Sequence, residues 1–127
     1  ARLVKLYKQN ANRLSSGIKE QVLQAWGDSE RFTAATYALV AQVDSGASIT
    51  SEASANKIFW SEMDRAMHRT AMIIMGMHAE LEEGEGAIEN GRWLDGYMFS
   101  LAGPIYAGTN EIQRNILAER VLGLPRQ

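Results

Sequence analysis

Cysteine is absent from the 127-residue chain and proline occurs only twice. Without thiols, neither disulfides nor thiolate metal sites are available, although this does not fix the redox compartment. A charge excess is also missing. Thirteen basic and fifteen acidic residues leave a net charge of -2, which gives no electrostatic case for nucleic acid or an anionic membrane. The densest apolar run, Ala71–Met77, is seven residues long, against roughly 20 for a spanning helix. No signal-peptide pattern opens the chain, so a soluble cytoplasmic protein is expected. The chain starts at Ala1 directly in a helical pattern, which reads as a piece of a longer protein. No alternating apolar run argues for strands, and no fixed-period repeat occurs.

What is present is helical periodicity. Leu3, Tyr7, Ala11, Leu14, Ile18, Val22 and Ala25 recur at steps of three and four, predicting an amphipathic helix to about Trp26. Gly17 inside it is expected to mark close packing of a neighbouring helix, since glycine there costs about 1 kcal/mol relative to alanine. Gly27 is expected to end the run as a left-handed cap, with Asp28 or Ser29 capping a shorter helix over Glu30 to Val43. After the Asp44–Ile49 loop, Thr50 or Ser51 caps a long helix carrying Phe59, Met63, Met67, Thr70, Ile74, Met77 and Leu81. The Glu82–Gly86 segment breaks it. A short helix from about Arg92 to Leu101 stops at Gly103-Pro104. The last helix begins after Thr109 and ends near Leu122, before Gly123 and Pro125. Long helices on short connections predict an all-α, antiparallel up-down bundle, its three main helices leaving one flank open.

The segment Ile105-Tyr106-Ala107-Gly108-Thr109-Asn110-Glu111-Ile112-Gln113-Arg114, continuing to Arg126, carries the sharpest motif. It closely resembles the C-terminal signature of the flavin-dependent acyl-CoA dehydrogenases. Ser54 to Glu62 likewise resembles that family's Ser-x-x-Lys-x-x-x-Ser-Glu segment at the start of a long helix. The resemblance implies the C-terminal helical domain of such a flavoprotein with its first helix missing, from a fold that also has an N-terminal helical and a middle β domain. It further implies FAD, an acyl-CoA substrate, an electron-transfer flavoprotein as electron acceptor, and a tetramer built on this bundle.

By the same resemblance, Tyr106 and Ala107 line the acyl pocket, while Gly108, Thr109 and Glu111 lie near FAD. Gly76 sits where the family has a glycine turn whose glutamine holds a neighbouring subunit's flavin, but Met72 and Ile73 stand at the glutamine's place. The departure that matters most is Ala107. Much of the family has its catalytic glutamate there, a carboxylate that takes the proton α to the thioester. Alanine has no proton-accepting group, so no catalytic residue is assigned to this chain. The base is then supplied by the missing first helix, or by a complete partner subunit, as in bacterial heterotetramers acting on sterol side-chain thioesters. A redirected or regulatory role is the third possibility.

The other features suit ordinary structural uses. His68 and His78 are ten residues apart, too far for one helical metal face, and His78 with Glu82 lacks a third ligand, so no metal site is expected. Met63, Met67, Met72, Met75 and Met77 suit core or interface packing. Glu80, Glu82, Glu83, Glu85 and Glu89 suit a solvated loop rather than calcium. Trp26, Trp60 and Trp93 are expected at the bundle's ends or its interface. Arg114, Arg120 and Arg126 suit ion pairs, Arg114 with Glu111 at i, i+3.

Overall fold

The computed structural model describes residues 2–48 and 51–126. Five α-helices follow in order: α1 Arg2–Asn10, α2 Ser16–Asp44, α3 Ser51–Met75, α4 Arg92–Ala102 and α5 Asn110–Arg120, with no strand among the described residues. Single 3₁₀ turns occupy Ala11–Arg13, Gly76–Glu80 and Ile88–Gly91. The all-α bundle is as the periodicity predicts. Of the two caps expected for α3, Ser51 is its first described residue, and Thr50 lies outside the described residues.

Two boundaries in the first half of the chain move. The helix expected to run from Leu3 to Trp26 is broken at 11–15, and the break expected at Gly27 is absent. Both have causes in side-chain hydrogen bonds. Asn10 leaves helical geometry and its amide donates back to Leu6 O (2.8 Å). Arg13 reaches across to Ile74 O (3.1 Å), so a cation meets the exposed carbonyls at the end of α3. Around Gly27 the turns are stitched by side chains instead. Gln24 and Arg31 both reach the Asp28 carboxylate (2.9 and 2.6 Å), and Ser29 Oγ donates to Trp26 O (2.7 Å). These bonds span the glycine, so its propensity cost of about 1 kcal/mol is overridden. Gly17 sits in the first turn of α2 with only Ser15 Oγ near it (3.9 Å), so no helix packs closely there.

Helix α3 is the axis. It packs against α1, α2, α4 and α5. The apolar core lies around its second half, where Ala71, Ile74 and Met75 meet Leu3 and Leu6 of α1, Ile18, Val22 and Ala25 of α2, and Trp93 of α4. Met67 and Met72 pack against this core. Met77 does not. Because α3 ends at Met75 rather than Leu81, the helical stripe stops short, and Met77 is 93% exposed. Of the tryptophans, Trp93 is buried, its Nε1 without a partner, whereas Trp26 is 55% exposed.

His68 joins α3 to α4. Its Nδ1 lies 3.2 Å from Asp64 Oδ1 one turn earlier, and its ring meets the Trp93 indole edge-on at 5.8 Å. A Cβ at Gly96 would stand 2.4 Å from His68 Nε2, so glycine is what lets α4 close onto the imidazole. The hydrogen bond that His68 donates to the Asp64 carboxylate outweighs burial and raises the His68 pKa.

That shift has a testable sign. A pKa raised in the folded state contributes stability that is complete below the ordinary imidazole value and is lost as pH rises through the folded one. Unfolding midpoints should therefore fall as the buffer is taken upward through neutrality, and Asp64→Asn should flatten that slope. Gly96→Ala should cost about 1–3 kcal/mol by overpacking, with part of the loss recovered in a Gly96→Ala, His68→Ala double variant. Urea titrations at several pH values measure both.

Candidate functional site around the 104–114 turn

The signature segment folds as a tight connection between α4 and α5. The N–H groups of Ile105 and Tyr106 both donate to Ala102 O (2.9 and 3.0 Å), and Asn110 N donates to Pro104 O (2.9 Å). Thr109 is the N-cap of α5, its hydroxyl accepting from Ile112 N (3.3 Å). Between these ties, Ala107 (φ 53) and Gly108 (φ 81) are consecutive left-handed residues. Glycine takes this geometry freely, whereas alanine in it costs about 1–2 kcal/mol.

A buried polar knot fixes the turn to α3. Asn110 is 2% exposed and Ser61 fully buried. Asn110 Nδ2 donates to Ser61 Oγ (3.0 Å). The single Ser61 proton is left for Ile58 O (3.0 Å) or Asn110 Oδ1 (3.1 Å). Lys57 Nζ donates to Asn110 Oδ1 at 2.8 Å. One turn further on, Arg114 pairs with Glu62 across the helices. The Ser-x-x-Lys-x-x-x-Ser-Glu segment and the signature are thus two halves of one seam, with Lys57, Ser61 and Glu62 facing Asn110 and Arg114. Gln113 adds a strut from inside α5, its Nε2 donating to Ala107 O (3.0 Å).

Tyr106 belongs to an aromatic cluster on the outer face. Its ring lies 6.0 Å from Trp60 and 6.1 Å from Phe99, and Met98 and Ile105 beside it are exposed. This is an open wall rather than an enclosed cavity. A groove of about 1050 Å³ along α3, lined by Glu20, Asp28, Arg65, Arg69 and Tyr97 among others, reaches the seam at Glu62.

Backbone donors complete the inventory. The N–H groups of Ala107, Gly108 and Thr109 donate to no other group among the described residues. Neither nearby carboxylate is poised as a base. Glu62 is engaged by Arg114, and the Glu111 pKa is lowered by hydrogen bonds from its own backbone and from the Thr109 hydroxyl. Arg114 also stands 3.9 Å from Glu111, and Arg126 stands 3.8 Å from Glu119.

Of the residues singled out in sequence, Tyr106, Ala107, Gly108, Thr109 and Glu111 come together in this turn. Gly76 does not. It is exposed with φ 59 beyond the far end of α3, fifteen residues and roughly 22 Å of helical rise from Ser61. Trp60, Phe99, Lys57, Ser61, Asn110 and Gln113 are site residues that composition and periodicity did not mark. Serine and lysine at i and i−4 on α3 were the available signal for the knot. No group of three or more His, Asp or Glu side chains that could hold a metal ion occurs among the described residues. His78 packs over Gly86, where an added Cβ would lie 3.1 Å from Nδ1.

Two changes probe the turn. Asn110→Ala should cost about 2–3 kcal/mol by leaving Lys57 without its acceptor and Ser61 Oγ without its donor in the seam, and adding Ser61→Ala should cost little more. Ala107→Gly should raise stability by about 0.5–1 kcal/mol through relief of the left-handed alanine. Equilibrium unfolding in urea reads all three variants.

The family model of the acyl-CoA dehydrogenase C-terminal domain matches residues 8–122. The chain is 36% identical over 126 residues to the acyl-CoA dehydrogenase IpdE1 of Mycolicibacterium smegmatis, covering 98% of this chain and 30% of that protein. Among solved structures, it is similar to the Tcur3481-Tcur3483 steroid ACAD with a TM-score of 0.87 and 20% identity, over 99% of this chain and 33% of that one. The ChsE4-ChsE5 complex from Mycobacterium tuberculosis gives a TM-score of 0.81 and 23% identity, over 98% of this chain and 34% of that one. The chain thus spans about a third of the proteins it matches. With the family model covering most of its length and the seam joining both motifs, this chain belongs to the acyl-CoA dehydrogenase family, as its C-terminal helical domain.

Proposed function

We propose that this domain is part of an FAD-dependent acyl-CoA dehydrogenase, acting in the cytoplasm within an oligomer, in which position 107 supplies no base. The observation that carries the reading is the turn itself. Ala107 occupies a strained, held geometry between Tyr106 and Gly108, while Glu62 and Glu111 are both committed to other partners.

The residues fit a flavin on the chemistry of their donors. Three neighbouring backbone N–H groups at 107–109 lack partners among the described residues, and the N-terminus of α5 adds a favourable dipole for phosphate oxygens. In this reading Gly108, Thr109 and Glu111 hold the cofactor, with Gly76 serving a flavin across a subunit boundary. An FAD held by these residues would supply a hydride acceptor for the substrate's β carbon and a route for electrons to an electron-transfer flavoprotein. The chain's own contribution is positioning and water exclusion. Trp60, Phe99 and Tyr106 give the thioester an apolar wall, which strengthens any hydrogen bond made to its carbonyl. The proton at the α carbon needs a carboxylate from another part of the assembly.

A heteromer is the form of assembly we favour, because the similar ChsE4-ChsE5 structure is a complex of two named chains. The chain would then be a piece of one subunit, contributing flavin contacts and structure while its partner contributes the base.

Anaerobic titration of the purified assembly with acyl-CoA thioesters tests this. The assembly with its partner should hold flavin and bleach on addition of thioester. The subunit containing this domain, purified alone, should not bleach. Bleaching by that subunit alone would place the base within it and overturn the heteromeric reading. A flavin-free assembly would overturn the cofactor assignment.

A further inference from the structure

The Ala107–Gly108 turn is held in an unfavourable conformation, and what holds it there is not the knot. The knot acts on Asn110, three residues further along, and the backbone bond from Asn110 N to Pro104 O closes the loop only at its base. Inside that loop, one side chain reaches the two left-handed residues. Gln113 Nε2 donates to Ala107 O at 3.0 Å, and a Cβ added to Gly108 would lie 2.7 Å from the same nitrogen. The amide therefore both ties the carbonyl of one left-handed residue and fills the side-chain space of the next. Gln113 is half-buried on the first turn of α5, whose own start is fixed by the Thr109 cap.

We propose that Gln113 is the positioning residue of the 106–108 wall: by donating to Ala107 O and filling the space beside Gly108, it keeps residue 107 left-handed. The sign of φ at 107 decides on which side of the turn its side chain leaves and where the Ala107 and Gly108 N–H groups point. Without the strut, alanine returns to negative φ, the low-energy side for an L-residue. Tyr106, joined to residue 107 by one peptide, then shifts against Trp60 and Phe99. The consequence for ligand binding rests on the function proposed above. The consequence for the backbone does not.

Gln113→Glu is the informative variant, since it keeps the length and removes the donor. Gln113→Ala removes both, and Ala107→Gly supplies a residue that stays left-handed without help. Amide hydrogen exchange on the intact assembly should show about tenfold faster exchange in the 105–109 segment for Gln113→Glu, carried by the Ile105 and Tyr106 amides that donate to Ala102 O. The α3 and α4 amides should not change, which separates a local role from a general loss of stability. The KM for an acyl-CoA thioester should rise about five- to tenfold, with a smaller fall in kcat. Adding Ala107→Gly to Gln113→Glu should return much of that KM loss, a coupling that a merely structural role of Gln113 would not produce.

Unchanged exchange at 105–109 in Gln113→Glu would overturn the proposal. So would a KM loss of equal size in the Ala107→Gly background, because Gln113 would then act through some other contact. If the assembly binds no flavin or thioester, the functional reading fails while the exchange measurement still decides the role of Gln113.

Discussion

Everything at the candidate site depends on one buried amide. Asn110 is the only buried residue of α5 among the described residues, and α3 is the helix that α5 packs against. A helix of this length normally docks by burying an apolar stripe. Here the most deeply buried contact is polar, with Asn110 bonded to Ser61 and Lys57. Such a network is strong when every member is satisfied and costly when one is removed. Its gain is angular precision. Leucine against alanine would bury similar area with tolerance for sliding, whereas an amide facing a hydroxyl and an ammonium accepts one register.

That precision anchors one end of a strained turn, whose middle is held separately. An alanine at φ 53 stands only where its surroundings over-determine it. The knot fixes the loop's exit, the two bonds to Ala102 O fix its entrance, and Gln113 fixes its middle. The aromatic wall of Trp60, Phe99 and Tyr106 then draws one ring from each of α3, α4 and the turn. Its geometry is a readout of how the three elements meet, so changes far along α5 reach it through the seam.

The sequence made some of this legible and not the rest. The course of helix α3, though not its end at Met75, and the stops at Pro104 and Gly123 could be read because apolar spacing and backbone chemistry act locally. The Thr109 cap was readable for the same reason. The break at 11–15 was not, since its cause is Arg13 reaching a carbonyl sixty-one residues away. Gly27 misled because its side-chain bridges run between residues whose pairing periodicity does not show. At the site, resemblance placed Tyr106 through Glu111 in one turn. It did not reveal why Ser61 and Asn110 matter, because a serine and an asparagine declare themselves only when the fold sets them face to face.

The polar seam also bears on how the domain assembles during synthesis. Helix α5 follows α1–α4 in the chain, so the surface of α3 that receives it stands open until the last helix is made. Had that surface been apolar, the waiting intermediate would present a sticky stripe, the usual route from slow assembly to aggregation. Lys57 and Ser61 instead stay hydrated for as long as the partner is absent and exchange water for Asn110 only when it arrives. The same groups that specify the register of the finished site leave a polar patch on its unfinished form.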